Sequence, residues 1–167
     1  MTFLVLTSVI YTLISRFFKT DITYNELSKE IYGDSSIADI MNWVQNNYGY
    51  ANLIMILPIT LWTKFLFRKY RYNFYETFVM ISFVMGVGML ILSLESVLNY
   101  IFPTTFIINE SIILVLAFLY ISWAIGQFYE KKVKNYAKAF LAYFIGIVTF
   151  QALAFGAGIM YDVMTKN

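Results

Sequence analysis

The chain has 167 residues, of which 60% are apolar, 20% aromatic and only 13% charged, with a net charge of +2. A soluble domain carries roughly 25% charged and about 45–50% apolar residues, so this composition excludes a water-facing surface and points to a single transmembrane domain over residues 1–167. The absence of Cys and His excludes disulfides, thiol nucleophiles, thiolate metal sites and imidazole bases, so no catalytic set, cofactor or metal is expected. Nor is a nucleic-acid partner, because the positive charge is confined to turns and no phosphate-binding glycine loop is present.

A membrane-spanning helix needs about 20 mostly apolar residues. The sequence therefore predicts an all-α, polytopic bundle of about five transmembrane helices, at 2–18, 50–67, 74–101, 107–129 and 136–163, with short interfacial helices between the first and second. The first segment is short, but it has no basic leader and no small-residue cleavage site after Ile14, so it is read as a helix and not as a signal peptide.

Residues 19–49 are more acidic than basic, with Asp21, Glu26, Glu30, Asp34 and Asp39 against Lys19 and Lys29. Thr23 and Glu26 have capping-box spacing, Gly33-Asp34-Ser35-Ser36 reads as a turn, and Ser36 with Asp39 as a second helix start. Ile37, Ile40, Met41 and Val44 then share one face, as in a helix lying in the interface or over the bundle. A lid over a cavity is the alternative.

In the second long segment Pro58 removes a backbone donor and predicts a bend, with Thr60 close enough to satisfy the freed backbone. Such a bend borders a transport cavity or is a plain feature of a membrane helix. Trp62 and Lys64 are placed to anchor and to snorkel. Then come the two basic clusters, Lys64, Arg68, Lys69 and Arg71, and Lys131, Lys132, Lys134 and Lys138, which hold eight of the twelve Lys and Arg residues.

An excess of Lys and Arg marks cytoplasmic turns. Both clusters are therefore expected inside, with the 101–109 connection and residues 19–49 outside, the amino terminus cytoplasmic and the carboxyl terminus extracytoplasmic. Arg16 and Lys19 fit this orientation badly. Arg68, Lys69, Arg71, Lys131, Lys132 and Lys134 are candidates for contact with anionic lipid headgroups or a partner, with Tyr70, Tyr72 and Tyr75 interleaved; orientation alone is the plainer explanation.

The third long segment opens with Asn73 and Glu76 at capping-box spacing, carries a small-residue notch at Gly86-Val87-Gly88, and places Glu95 and Asn99 on one face near Ser93 and Ser96. An ionisable residue inside a span is costly and often functional, so Glu95 and Asn99 are candidates for binding a cation or proton; an ordinary interhelical hydrogen bond is the alternative. Asn109 with Glu110, and Asn135, read as further helix starts. Gln151 in the fifth segment is expected to face another helix, as interhelical glue or as part of a polar path with Glu95 and Asn99. Ala142 and Gly146, Ala152 and Gly156, and Ala154 and Gly158 form small-residue pairs at four-residue spacing, suited to close helix approach.

The stretch Leu61-Trp62-Thr63-Lys64-Phe65-Leu66-Phe67-Arg68-Lys69, followed by Tyr72-Asn73-Phe74-Tyr75-Glu76, resembles a family of uncharacterised bacterial inner-membrane proteins that join an amino-terminal zinc ribbon to a multi-helix membrane region. The family pattern opens a membrane helix with Tyr-Asn-aromatic-x-Glu-His; Glu76 matches the Glu, and Thr77 stands where His is expected. Phe128-Tyr129-Glu130 and Asn135-Tyr136 are also similar, so the likeness covers roughly residues 50 to 160. With no Cys the ribbon is absent, which implies a shorter relative or a chain that begins after it.

The resemblance implies a bacterial inner-membrane location and no settled activity. Together these features suggest a non-enzymatic accessory, scaffold or assembly component that acts in the lipid bilayer through contacts with itself or a membrane protein partner. The alternative is a small transporter or channel subunit lined by Glu95, Asn99 and Gln151. A lipid-modifying enzyme would have to rely on carboxylates alone, with Glu76 and Glu130 the pair to inspect.

Overall fold

The computed structural model describes residues 2–18, 20, 30–33 and 35–165. The principal elements are helices α1 (Thr2–Phe17), α2 (Ser36–Asn46), α3 (Tyr48–Leu66), α4 (Phe74–Ile101), α5 (Phe106–Tyr129) and α6 (Val133–Thr165), with single 3-10 turns at Arg68–Tyr70 and Pro103–Thr105. No strand occurs among the described residues. The all-α bundle expected from the sequence is therefore what the chain forms, and its helices α3 to α6 are long and apolar enough to cross a membrane. They mark a membrane-embedded protein.

Helix α1 differs from these four. Its 16 residues extend about 24 Å, against a hydrocarbon core of about 30 Å. Phe3 stacks on Phe83 at 5.6 Å between ring centroids, and Phe18 packs against Tyr100 at 5.1 Å. The helix therefore runs parallel to α4 and begins about a third of the way along it, short of the end where α4 starts.

Helix α4 is the centre of the bundle, packed against α1, α3 and α5, while α6 closes the other side against α3, α5 and α2. Ile56, Ile59, Ile81, Met85, Met89, Ile121 and Ile125 form the core between them. The Gly86-Val87-Gly88 notch is used on two faces. A Cβ at Gly86 would lie 2.6 Å from the Phe3 ring, and one at Gly88 would lie 3.1 Å from Ile121, so the missing side chains admit α1 and α5 respectively.

Local signals explain the helix starts unevenly. At α4 the capping box forms as expected: the Glu76 amide donates to Asn73 Oδ1 at 2.8 Å, and the Asn73 amide donates to Glu76 Oε2 at 2.7 Å. At α2 the cap is Ser35, whose Oγ accepts from the Ala38 amide, and not Ser36. Ser36 instead turns to α6, its Oγ donating to Asp162 Oδ1 at 2.6 Å and its amide to Oδ2 at 3.3 Å. This carboxylate on α6 sits at the positive end of α2, where a negative charge is favoured.

Helix α2 lies against α6 and α3, as expected of a helix over the bundle, with Ala38 and Val44 buried and Ile37 against Gly158. Asn109 and Asn135 are not caps, since α5 begins at Phe106 and α6 at Val133, placing both amides inside the first helical turn. Helix α3 runs unbroken through Pro58. The fully buried Thr60 hydroxyl has no hydrogen-bond partner, so it does not satisfy the backbone freed by the proline. The capping pair Thr23 and Glu26, together with Lys19 and Asp34, lies outside the described residues.

Candidate functional site

At the end of the bundle formed by the close of α4 and the start of α5, amides converge on a buried carboxylate. Pro103–Thr105 turns the chain tightly enough for α5 to begin beside the last turns of α4. Asn109 Nδ2 donates to Asn99 Oδ1 at 3.0 Å and to the Phe102 carbonyl at 3.2 Å. Asn99 Nδ2 in turn donates to Glu95 Oε1 at 3.4 Å, and Thr105 Oγ1 donates to Asn109 Oδ1 at 3.2 Å. The bonds thus pass from Asn109 through Asn99 to a Glu95 carboxyl oxygen, while Asn109 also satisfies the Phe102 carbonyl.

Glu95, Asn99 and Asn109 are all buried. Tyr11 and Tyr48, packed together at 5.1 Å, lie within electrostatic reach of Glu95. Thr20 bonds both Ser15 and Ser96, at 2.9 and 3.0 Å, and so fastens the end of α1 to α4. The structure thus joins Glu95 to Asn99, as their spacing predicts, and adds Asn109. Gln151 stands apart on α6: it is half-buried, its Oε1 has no partner, and it makes no hydrogen bond to the cluster among the described residues. It does not act as hydrogen-bonded glue. None of Glu95, Asn99 and Gln151 lines the grooves along α1 and α3 or along α4 and α5.

At the opposite end the two basic turns meet. Tyr70 donates to Glu130 Oε2 at 3.0 Å, Asn135 Nδ2 donates to Tyr70 Oη at 2.7 Å and to the Glu130 carbonyl at 3.1 Å, and Lys132 pairs with Glu130 at 2.8 Å. The bonds from Lys132 and Tyr70 hold the Glu130 carboxyl below its ordinary range. Its backbone, at φ 150 and ψ 142, occupies a region open essentially to glycine, a strain of about 1–3 kcal/mol that persists only where surrounding contacts impose it.

Phe67 stacks on Tyr129 at 4.0 Å, and Tyr72 packs against Phe128 at 4.8 Å. Tyr70 and Tyr72 are therefore parts of an aromatic clasp between the turns, whereas Tyr75 is 77% exposed. Among the basic candidates, Lys69 lies 4.5 Å over the Tyr70 ring, Arg68 lies 5.9 Å over Phe65, and Lys132 is occupied by Glu130. Arg71, Lys131 and Lys134 are exposed. Glu76 and Glu130 are each committed, one to its capping box and the other to Tyr70 and Lys132.

Two grooves open toward the lipid. The larger, about 860 Å³, runs from Tyr72 in the preceding turn along α4 to Val84, against Ala124, Gln127 and Phe128, in the sector that α1 leaves uncovered. The smaller, about 240 Å³, lies between α1 and α3, from Val5 to Arg16, with Asn46 and Asn47 at its rim. A narrow cleft bounded by Tyr11, Gln45 and Asn46 adjoins it at Arg16.

Sequence reasoning missed Asn52, a fully buried amide that donates to Met89 Sδ at 2.9 Å. Its presence within an apolar run was the available signal. It also missed the bond from Trp62 Nε1 to Thr149 Oγ1 at 3.0 Å, which makes Trp62 a link between α3 and α6. The chain matches no protein-family model, no curated protein and no solved structure.

Proposed function

We propose that the chain is a non-enzymatic, multi-pass protein of the bacterial inner membrane that serves as an accessory or scaffold component through helix contacts. The observation that carries this reading is the unequal use of the small-residue pairs on α6. Gly146 packs on the Ile59 backbone and Gly158 on Ile37, but a Cβ at Gly156 would meet nothing within 4 Å, and Ala152 one turn earlier is exposed. One small-residue pair is thus spent inside the chain at each contact, while Ala152 and Gly156 leave a smooth strip facing outward, which in lipid favours close approach of another helix.

The bacterial location rests on the resemblance of residues 61–76, and the cytoplasmic placement of both basic turns rests on their charge. A transport role, the second reading, draws on the buried pair of Glu95 and Asn99, because Gln151 does not join them. Because the chain has no Cys, Gly156→Cys gives a clean probe. Oxidation in native membranes is expected to trap a disulfide-linked dimer, or a mixed species with a partner after bifunctional crosslinking, whereas Phe140→Cys, exposed and more than about 100° round the helix from Ala152 and Gly156, is expected to stay monomeric. A chain that remains monomeric at both positions and co-purifies with nothing would refute the accessory role.

A further inference from the structure

The groove between α1 and α3 combines three features that the packing of the chain does not use. Its side walls, Val5, Val9, Leu13 and Tyr50, are 44%, 50%, 62% and 68% exposed, so it is apolar and open along the lipid side. Its length, from Val5 to Arg16, is about 16 Å, close to half of the roughly 30 Å hydrocarbon core and hence to one leaflet. Its mouth holds the Arg16 guanidinium and the Asn46 amide, and neither makes an ion pair or side-chain hydrogen bond among the described residues. Deeper in the wall, the Ser8 hydroxyl is 3% exposed and has no partner.

We propose that this groove binds an anionic phospholipid, one acyl chain lying along α1 and α3 with the phosphate held at Arg16 and Asn46. A guanidinium with no acidic partner among the described residues, placed where a leaflet meets its headgroups, is complementary to a phosphate, and Arg is suited to hold phosphate oxygens with two parallel bonds. The lateral opening leaves the second acyl chain in the bilayer. The site also accounts for the charge that fits the orientation rule worst: Arg16 is beside the Ser96 and Tyr100 end of α4, away from both basic turns, because its role is to bind and not to orient.

The test is native mass spectrometry of the full chain released from phosphatidylcholine vesicles doped with phosphatidylglycerol. One phosphatidylglycerol per chain is expected to be retained in preference to phosphatidylcholine. Arg16→Gln is expected to lower that retention about tenfold, as for loss of one strong charged contact. Arg16→Lys keeps most of it, Val9→Trp abolishes it by filling the groove with the charge intact, and Lys64→Gln, an exposed charge toward the other end of the bundle, leaves it unchanged. Equal retention of the two lipids, survival of the phosphatidylglycerol adduct in Arg16→Gln or in Val9→Trp, or its displacement by inorganic phosphate alone would overturn the proposal.

Discussion

Asn109 shows how much one amide can organise. It joins Asn99 across the turn between α4 and α5 and also satisfies the Phe102 carbonyl where α4 ends. Asn109→Ala is expected to lower stability by about 1–2 kcal/mol, the upper range for a hydrogen bond inside a membrane, measured by reversible unfolding in mixed micelles. Asn99→Ala is expected to cost a similar amount, and the double variant less than the two added, because both act through one network. An additive double variant would separate the two amides. The sequence made the Asn73 and Glu76 box readable because its partners are three residues apart and need only a helix. Asn109 was not readable in the same way, since its role depends on the 3-10 turn at Pro103–Thr105, which brings Asn99 back within reach.

Among the elements, α6 presents the plainest contrast. Its small residues were legible as pairs at four-residue spacing, but a helix that is apolar all round carries no stripe to say which side faces inward. Only packing assigns Gly146 to Ile59 and leaves Gly156 open. Gly146→Leu is therefore expected to destabilise by about 1–3 kcal/mol, because the new side chain meets Ile59 backbone that cannot easily move. Gly156→Leu is expected to leave monomer stability unchanged. Thermal unfolding of the two purified variants checks the difference, and equal losses would show that both glycines face the bundle. Helix α2 teaches the same lesson at smaller scale. Its apolar face was visible in Ile37, Ile40, Met41 and Val44, whereas the choice of Ser35 over Ser36 as cap follows from Asp162, a residue far along the chain.

For the whole molecule, the two basic turns converge on one end through Tyr70, Glu130 and Asn135, so they must face the same side of any membrane the bundle crosses. Cysteine introduced at Thr104, exposed at the far end, is expected to react with an impermeant thiol reagent from outside intact cells, and cysteine at Val133, 84% exposed, only after lysis. The reverse pattern would invert the orientation. That the helices exist and where their charged turns fall was legible because length and charge are local properties of a sequence. That α1 begins beside Phe83 and Gly86 was not, because its depth is set by a notch in another helix.

The shortness of α1 also shapes the surrounding bilayer. Helix α4 extends about 42 Å and α1 about 24 Å, so the molecule offers unequal apolar height on its two flanks. Lipid tails beside α1 must bend into the recess along α4 or the leaflet must dip to meet it, at an elastic cost of fractions of a kcal/mol per Å of mismatch. A protein shaped in this way deforms the bilayer on one side only, an asymmetry that favours association with whatever else relieves the same deformation.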